Sequence, residues 1–149
     1  KDYKKSLYNV NKAINIYKEK GKLPKEQWYN LARFIHFDRD NFREALNILE
    51  TLIMYYPKKQ YWVQASHLYG EEKDEARQLA LLEATYEQNL LDRSQDIVLI
   101  SQLYLQAEVP YPAARAMEKG LADDVVEKES KNWPTVFYVF KKPVSLLMN

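Results

Sequence analysis

The sequence predicts an all-α protein, an α-solenoid of about seven to eight helices stacked as antiparallel pairs. Apolar residues recur at spacings of three and four along most of the chain, which is the helical period and not the strand period. The pattern also repeats on itself. Trp62, Ala65 and Tyr69 are answered 34 residues earlier by Trp28, Leu31 and Ile35, and 35 residues later by Ile97, Ile100 and Tyr104. Self-similarity of this length marks stacked helical repeats. Finally, only three glycines occur in 149 residues, too few for a tight-turned β fold or a Gly-rich phosphate loop.

The elements follow in order as one domain over 1–149. The first helix, 2–20, carries Tyr3, Leu7, Val10, Ile14 and Tyr17 on one face and stops at Gly21. Pro24 opens the second helix, which runs to Phe37 with Trp28, Leu31, Ala32 and Ile35 inward. A polar turn, Asp38 to Asn41, leads into a third helix with Ala45, Leu46, Leu49, Leu52 and Ile53 on one side, closed by Pro57. Residues 58–91 read as two helices around a charged turn, one with Trp62, Ala65, Ser66 and Tyr69 and one with Leu79, Leu82 and Tyr86. Ser94 is the expected N-cap of a sixth helix bearing Ile97, Ile100, Leu103 and Tyr104. Val109-Pro110-Tyr111-Pro112 breaks the chain before a seventh with Ala113, Ala114, Met117 and Leu121. A last helix is expected over 132–141, although its β-branched and aromatic body leans toward strand.

Composition bounds the function. The hydrophobic fraction of 46% and charged fraction of 29% suit a folded, soluble domain, and no apolar run approaches the ~20 residues of a membrane span. Without cysteine there are no disulfides, thiolate catalysis or Cys-ligated zinc. The chain starts at Lys1, so a processed product or a fragment is expected, with any export signal or anchor upstream. Residues 1–25 carry eight lysines against Asp2 and Glu19, a balance of +6; the net +1 leaves −5 for the rest. That basic end reads first as a solvated helix face. It contains no Arg, the usual phosphate fork, so nucleic acid is not an expected partner.

Chemistry has little to stand on. His36 and His67 are the only histidines and form no HExxH pair. The aspartates of Asp38-Arg39-Asp40-Asn41 lack the glycine and terminal glutamate of a calcium loop. The acidic run Glu71 to Glu75 suits a helix turn and its N-terminal charge complement. No catalytic residue, metal site or cofactor is expected. Most of the 12 tyrosines and three tryptophans, at helical spacing, are expected in the core.

The array resembles tetratricopeptide repeats, 34-residue helix-turn-helix units, over about 24–122. Repeat units are expected at about 24–57, 58–92 and 93–122, with a partial terminal unit at 130–149. Ile97, Ile100, Ser101, Tyr104, Ala113, Met117 and Gly120 match the unit best. The first unit has one extra residue between Trp28 and Ala45, and the second has Gln78 where a small residue belongs. More narrowly, several strings resemble the repeat protein found with TonB–ExbB–ExbD energy-transduction systems of Gram-negative bacteria. These are Lys22-Leu23-Pro24-Lys25-Glu26-Gln27-Trp28-Tyr29, Pro57-Lys58-Lys59-Gln60-Tyr61-Trp62, Gln78-Leu79-Ala80, Val109-Pro110-Tyr111-Pro112-Ala113-Ala114 and Glu118-Lys119-Gly120-Leu121.

The resemblance implies a non-enzymatic protein-interaction scaffold, periplasmic and accessory to TonB-dependent transport. Its partners would be TonB, ExbB or ExbD-type proteins, with membrane association only through them or through an anchor outside the sequence. A cytoplasmic adaptor for a chaperone, secretion or regulatory complex is the alternative, and a homodimer is compatible with either. First helices line the concave side of such stacks. The implied partner-binding residues are Tyr29, Arg33, His36 and Phe37, then Val63, His67 and Glu71, then Val98, Gln102 and Gln106. Tyr29, Val63 and Val98 stand where a carboxylate clamp would place Lys or Asn, so an extended or helical protein segment suits the groove better.

Overall fold

The computed structural model describes residues 2–126. Seven helices and no strand occur among them: α1 (Tyr3–Glu19), α2 (Glu26–Phe37), α3 (Phe42–Tyr55), α4 (Lys59–Glu71), α5 (Glu75–Glu87), α6 (Ser94–Gln106) and α7 (Pro110–Ala122). The protein is all-α, with neighbouring helices packed in pairs. The helix expected over 132–141 and the partial unit at 130–149 lie outside the described residues. The chain forms two compact units, Lys1–Asp74 and the remainder from Glu75. Their boundary falls in the turn between α4 and α5, inside the unit expected at 58–92.

In the first unit α1 packs on α2, α2 on α3 and α3 on α4. Asp2 caps α1 by accepting the Lys5 backbone N–H at 3.1 Å, which answers one of the donors a helix start leaves open. The Tyr17 ring meets Trp28 edge-on at 4.7 Å, and the Tyr3 hydroxyl bonds Asp38. The end of α1 thus lies beside the start of α2 and its start beside the end of α2, so the pair is antiparallel. Val10, Ile14, Ala32, Ile35, Ala45, Leu49 and Leu52 form the core of this unit. The Tyr69 hydroxyl on α4 donates to the Glu50 carboxylate on α3.

In the second unit α5 packs on α6 and α6 on α7, around Leu82, Ile97, Ile100, Ala113, Ala116 and Met117. The Tyr104 hydroxyl on α6 donates to Glu83 Oε1 on α5 at 2.8 Å, the counterpart of the Tyr69–Glu50 bond. Burial, and then the bond to Glu83, push the Tyr104 phenol above its ordinary range. Gln78 is buried where a small residue was expected. Gly120 of α7 lies tight against Ile97 of α6: a Cβ there would lie 2.8 Å from Ile97 Cγ2 and 2.7 Å from Val126 Cγ2.

Six of the seven helices end the same way. Gly21, Asp40, Lys73, Asn89, Glu108 and Asp124 have φ between 54° and 63°. In each case the next residue's N–H reaches back five positions: Lys22 to Tyr17, Asn41 to His36, Asp74 to Tyr69, Leu90 to Thr85, Val109 to Tyr104 and Val125 to Gly120. This is the Schellman cap, whose left-handed residue is usually glycine. Five of the six here carry side chains. The exception is α3, which closes through Tyr56 and Pro57.

Two expectations about helix starts change. Arg93, not Ser94, is the N-cap of α6, and its Nε donates to Asp96 Oδ2 at 3.0 Å. Pro110 and Pro112 do not stand before α7 but form its first turn, where a missing N–H has no intrahelical acceptor to lose.

Candidate interaction surface

Seven of the sequence-derived site residues lie in the first unit, on α2 and α4. A polar chain holds these two helices side by side. Asn30 Nδ2 donates to the Tyr61 hydroxyl at 2.7 Å, and that hydroxyl donates to Glu26 Oε1. Lys58 Nζ donates to Glu26 Oε2 at 2.9 Å, and Arg33 Nε donates to Asn30 Oδ1 at 3.3 Å. The Lys58 bond, followed by the Tyr61 bond, holds the Glu26 carboxyl below its ordinary range. The same Glu26 bond raises the Lys58 ammonium. Burial lowers the half-buried Arg33 guanidinium, and the nearby Tyr61 phenol opposes it. Sequence reading did not find this chain; the signal available was Glu26, Asn30 and Arg33 spaced by four and three on one helix face.

The seven residues do not share one fate. Tyr29 and Val63 are each only 4% exposed and belong to the core. The Tyr29 hydroxyl has no protein hydrogen-bond partner, and its phenol is raised by burial first and then by Tyr55 and Tyr56. His36 is half-buried with Nδ1 enclosed and unpartnered. Phe37 is 50% exposed and leans on Phe42 with ring centres 5.8 Å apart. His67 and Glu71, one turn apart on α4, are exposed. The outward surface from the original set is therefore Arg33, Phe37, His67 and Glu71.

In the second unit Val98 is half-buried while Gln102 and Gln106, one and two turns further along α6, are exposed. No group of three or more metal-ligating side chains occurs among the described residues. None of their helices is long and apolar enough to cross a membrane.

One feature of α2 departs from expectation. Leu31, expected inward, is 44% exposed, and Phe34 on the same face is 46% exposed. What these helices offer to solvent is a mixture of polar and apolar side chains: Arg33, Phe37, His67 and Glu71, with Leu31 and Phe34 beside them on α2. The chain matches no model of a known protein family, and comparison with curated proteins finds no match.

Proposed function

We propose that the protein is a non-enzymatic interaction scaffold of the tetratricopeptide-repeat type, a periplasmic accessory of a TonB–ExbB–ExbD system. The observation that carries the scaffold reading is the succession of packed helices, α1 to α4 in the first unit and α5 to α7 in the second, with the first-helix positions Arg33, Phe37, His67 and Glu71 accessible in the first. The TonB-linked part rests on the five strings quoted above. The partner segment would lie along α2 and α4, with Arg33 as a fixed cation. The Asn30 carbonyl and burial hold that guanidinium in place at little further cost in side-chain entropy on binding.

Pull-down from detergent-solubilised membranes with the TonB, ExbB and ExbD proteins tests the assignment. Recovery of at least one of them is expected, and recovery of none refutes the TonB link. Recovery of a chaperone or secretion component instead would favour the cytoplasmic adaptor. Arg33→Glu should weaken the recovered complex, and unchanged affinity would remove the groove from consideration.

A further inference from the structure

Two connectors meet at one end of the first unit. The Tyr56 hydroxyl, just past α3, donates to the Pro24 carbonyl at 2.7 Å, and Lys58 Nζ donates to Glu26 Oε2 at 2.9 Å. The α3–α4 connector is thereby laced to the α1–α2 connector. Residues 18–26 and 56–59, around this junction, hold six lysines against Glu19 and Glu26. Glu26 is occupied by Lys58 and Tyr61, which leaves Glu19 to oppose the other five lysines. Lys18, Lys20, Lys22 and Lys25 are exposed. The Lys22 N–H reaches back to the Tyr17 carbonyl at 2.9 Å, so the chain folds over at Gly21 and keeps these lysines together.

The opposite end of the unit has the other sign. There the Tyr3 hydroxyl bonds Asp38, and residues 2–5, 37–44 and 69–74 carry seven acids against five bases. The start of α1 stands at this acidic end. The cationic end is made of chain turns and not of a helix flank.

Apolar side chains stand among the lysines. Leu23, between Lys22 and Pro24, is 48% exposed, while Met54 and Tyr55, in the last turn of α3 before Tyr56, are 71% and 50% exposed. The half-buried Trp28 lies under Lys25 Nζ at 5.6 Å. Lysines interleaved with aliphatic and aromatic tips suit the boundary of an anionic bilayer. Their ammonium groups meet headgroup phosphates, and the apolar tips enter the acyl boundary. Nucleic acid would favour arginine forks, and this run has none.

We infer that the lysine-rich end of the first unit, around the α1–α2 and α3–α4 connectors, docks on an anionic lipid surface with Leu23 entering the bilayer boundary. The inference rests on the first unit alone and goes beyond the partner assignment, since it needs no second protein.

The test is co-sedimentation of the full chain with vesicles of phosphatidylcholine alone or mixed with phosphatidylglycerol. Binding is expected only with phosphatidylglycerol and should be lost in high salt, which screens surface charge. Lys20→Gln combined with Lys22→Gln should weaken it by about tenfold or more, since each lysine near such a surface contributes about fivefold. Lys4→Gln combined with Lys5→Gln makes the same change of net charge at the opposite end and should alter binding by less than about twofold. Leu23→Ser should weaken binding by about threefold or more without changing its salt dependence. All five side chains are exposed, so circular dichroism should stay unchanged in every variant. Equal binding to both lipids, equal loss from the two lysine pairs, or no loss in Leu23→Ser overturns the proposal. So does binding to polyglutamate or duplex DNA that depends on Lys20 and Lys22 when the vesicles are not bound.

Discussion

Replacing Gly120 with alanine sets two effects of similar size against each other. In a helix, alanine is ordinarily better than glycine by up to about 1 kcal/mol. At this position the added methyl would stand 2.7 Å from Val126 Cγ2 and 2.8 Å from Ile97 Cγ2, roughly 1 Å inside the favourable separation of carbon atoms. Both neighbours are β-branched and buried, so neither can swing its methyl aside at low cost. Overpacking of this kind costs about 1–3 kcal/mol, and the net expectation is a loss of about 1 kcal/mol. Urea denaturation of Gly120→Ala, Val126→Ala and the double variant measures it. Val126→Ala alone removes two buried methyl groups and should cost about 1–3 kcal/mol. The double variant should be more stable than the sum of the two losses by about 1 kcal/mol, because the nearest clash has gone. Additivity within about 0.5 kcal/mol would refute the Val126 contact as a reason for glycine, and a plain gain from Gly120→Ala would refute close packing at this position altogether.

Three other expectations follow from the same structure. Glu108→Gly and Lys73→Gly relieve a left-handed backbone held by a residue with a Cβ. Each should stabilise by about 0.5–1 kcal/mol in thermal or urea unfolding, since the ~1–2 kcal/mol steric cost outweighs glycine's unfolded-state entropy. Glu26 has a depressed folded-state pKa, so its contribution is present above the unfolded carboxylate value, ~4.3, and fades as pH falls through the lower folded value. Lys58, raised by the same bond, contributes below its unfolded value and loses that as pH rises through the folded one. Glu26→Gln should flatten the acid limb of a stability–pH curve and Lys58→Met the alkaline limb. Tyr29→Phe removes a buried hydroxyl that no protein group answers; stability should stay level or rise by up to about 1 kcal/mol, and a loss above that would show a hidden partner.

The helices α1 to α7 were legible because each carries at least one clear apolar stripe, and the internal repeat gave the order of α2 to α7. Val10, Ile14, Leu49, Leu52, Ile100 and Met117 are buried as their spacing requires. What spacing could not resolve is which way a helix with several neighbours turns its remaining sides. In α4, Tyr61, Val63, Ala65, Ser66, Leu68 and Tyr69 are all buried, an arc too broad for a two-sided amphipathic contrast. Val63 therefore reads as groove from its place in the repeat and is core in fact; Tyr29 is the same case on α2. Their apolar character was the available warning. Leu31 is the reverse: nothing in its own helix distinguishes it from Ala65, because its exposure depends on what lies against α2 and not on α2. The partnered carboxylates were also out of reach, since Tyr61 and Glu26 are 35 positions apart.

The two tyrosine–glutamate bonds bear on how such a chain grows. Tyr69 reaches Glu50 and Tyr104 reaches Glu83, so each bond joins a second helix to the first helix that follows it. The segment that carries both ends of its own latch is thus α3 with α4, or α5 with α6, offset by one helix from the hairpins α2–α3 and α6–α7. The division of the chain at Asp74 respects that offset and leaves both latches whole. A duplicated cassette cut at the tips of the α2–α3 and α4–α5 turns would arrive with its latch intact. One cut at the hairpin boundaries would bring a tyrosine and a glutamate that must each find a mate in the neighbouring copy.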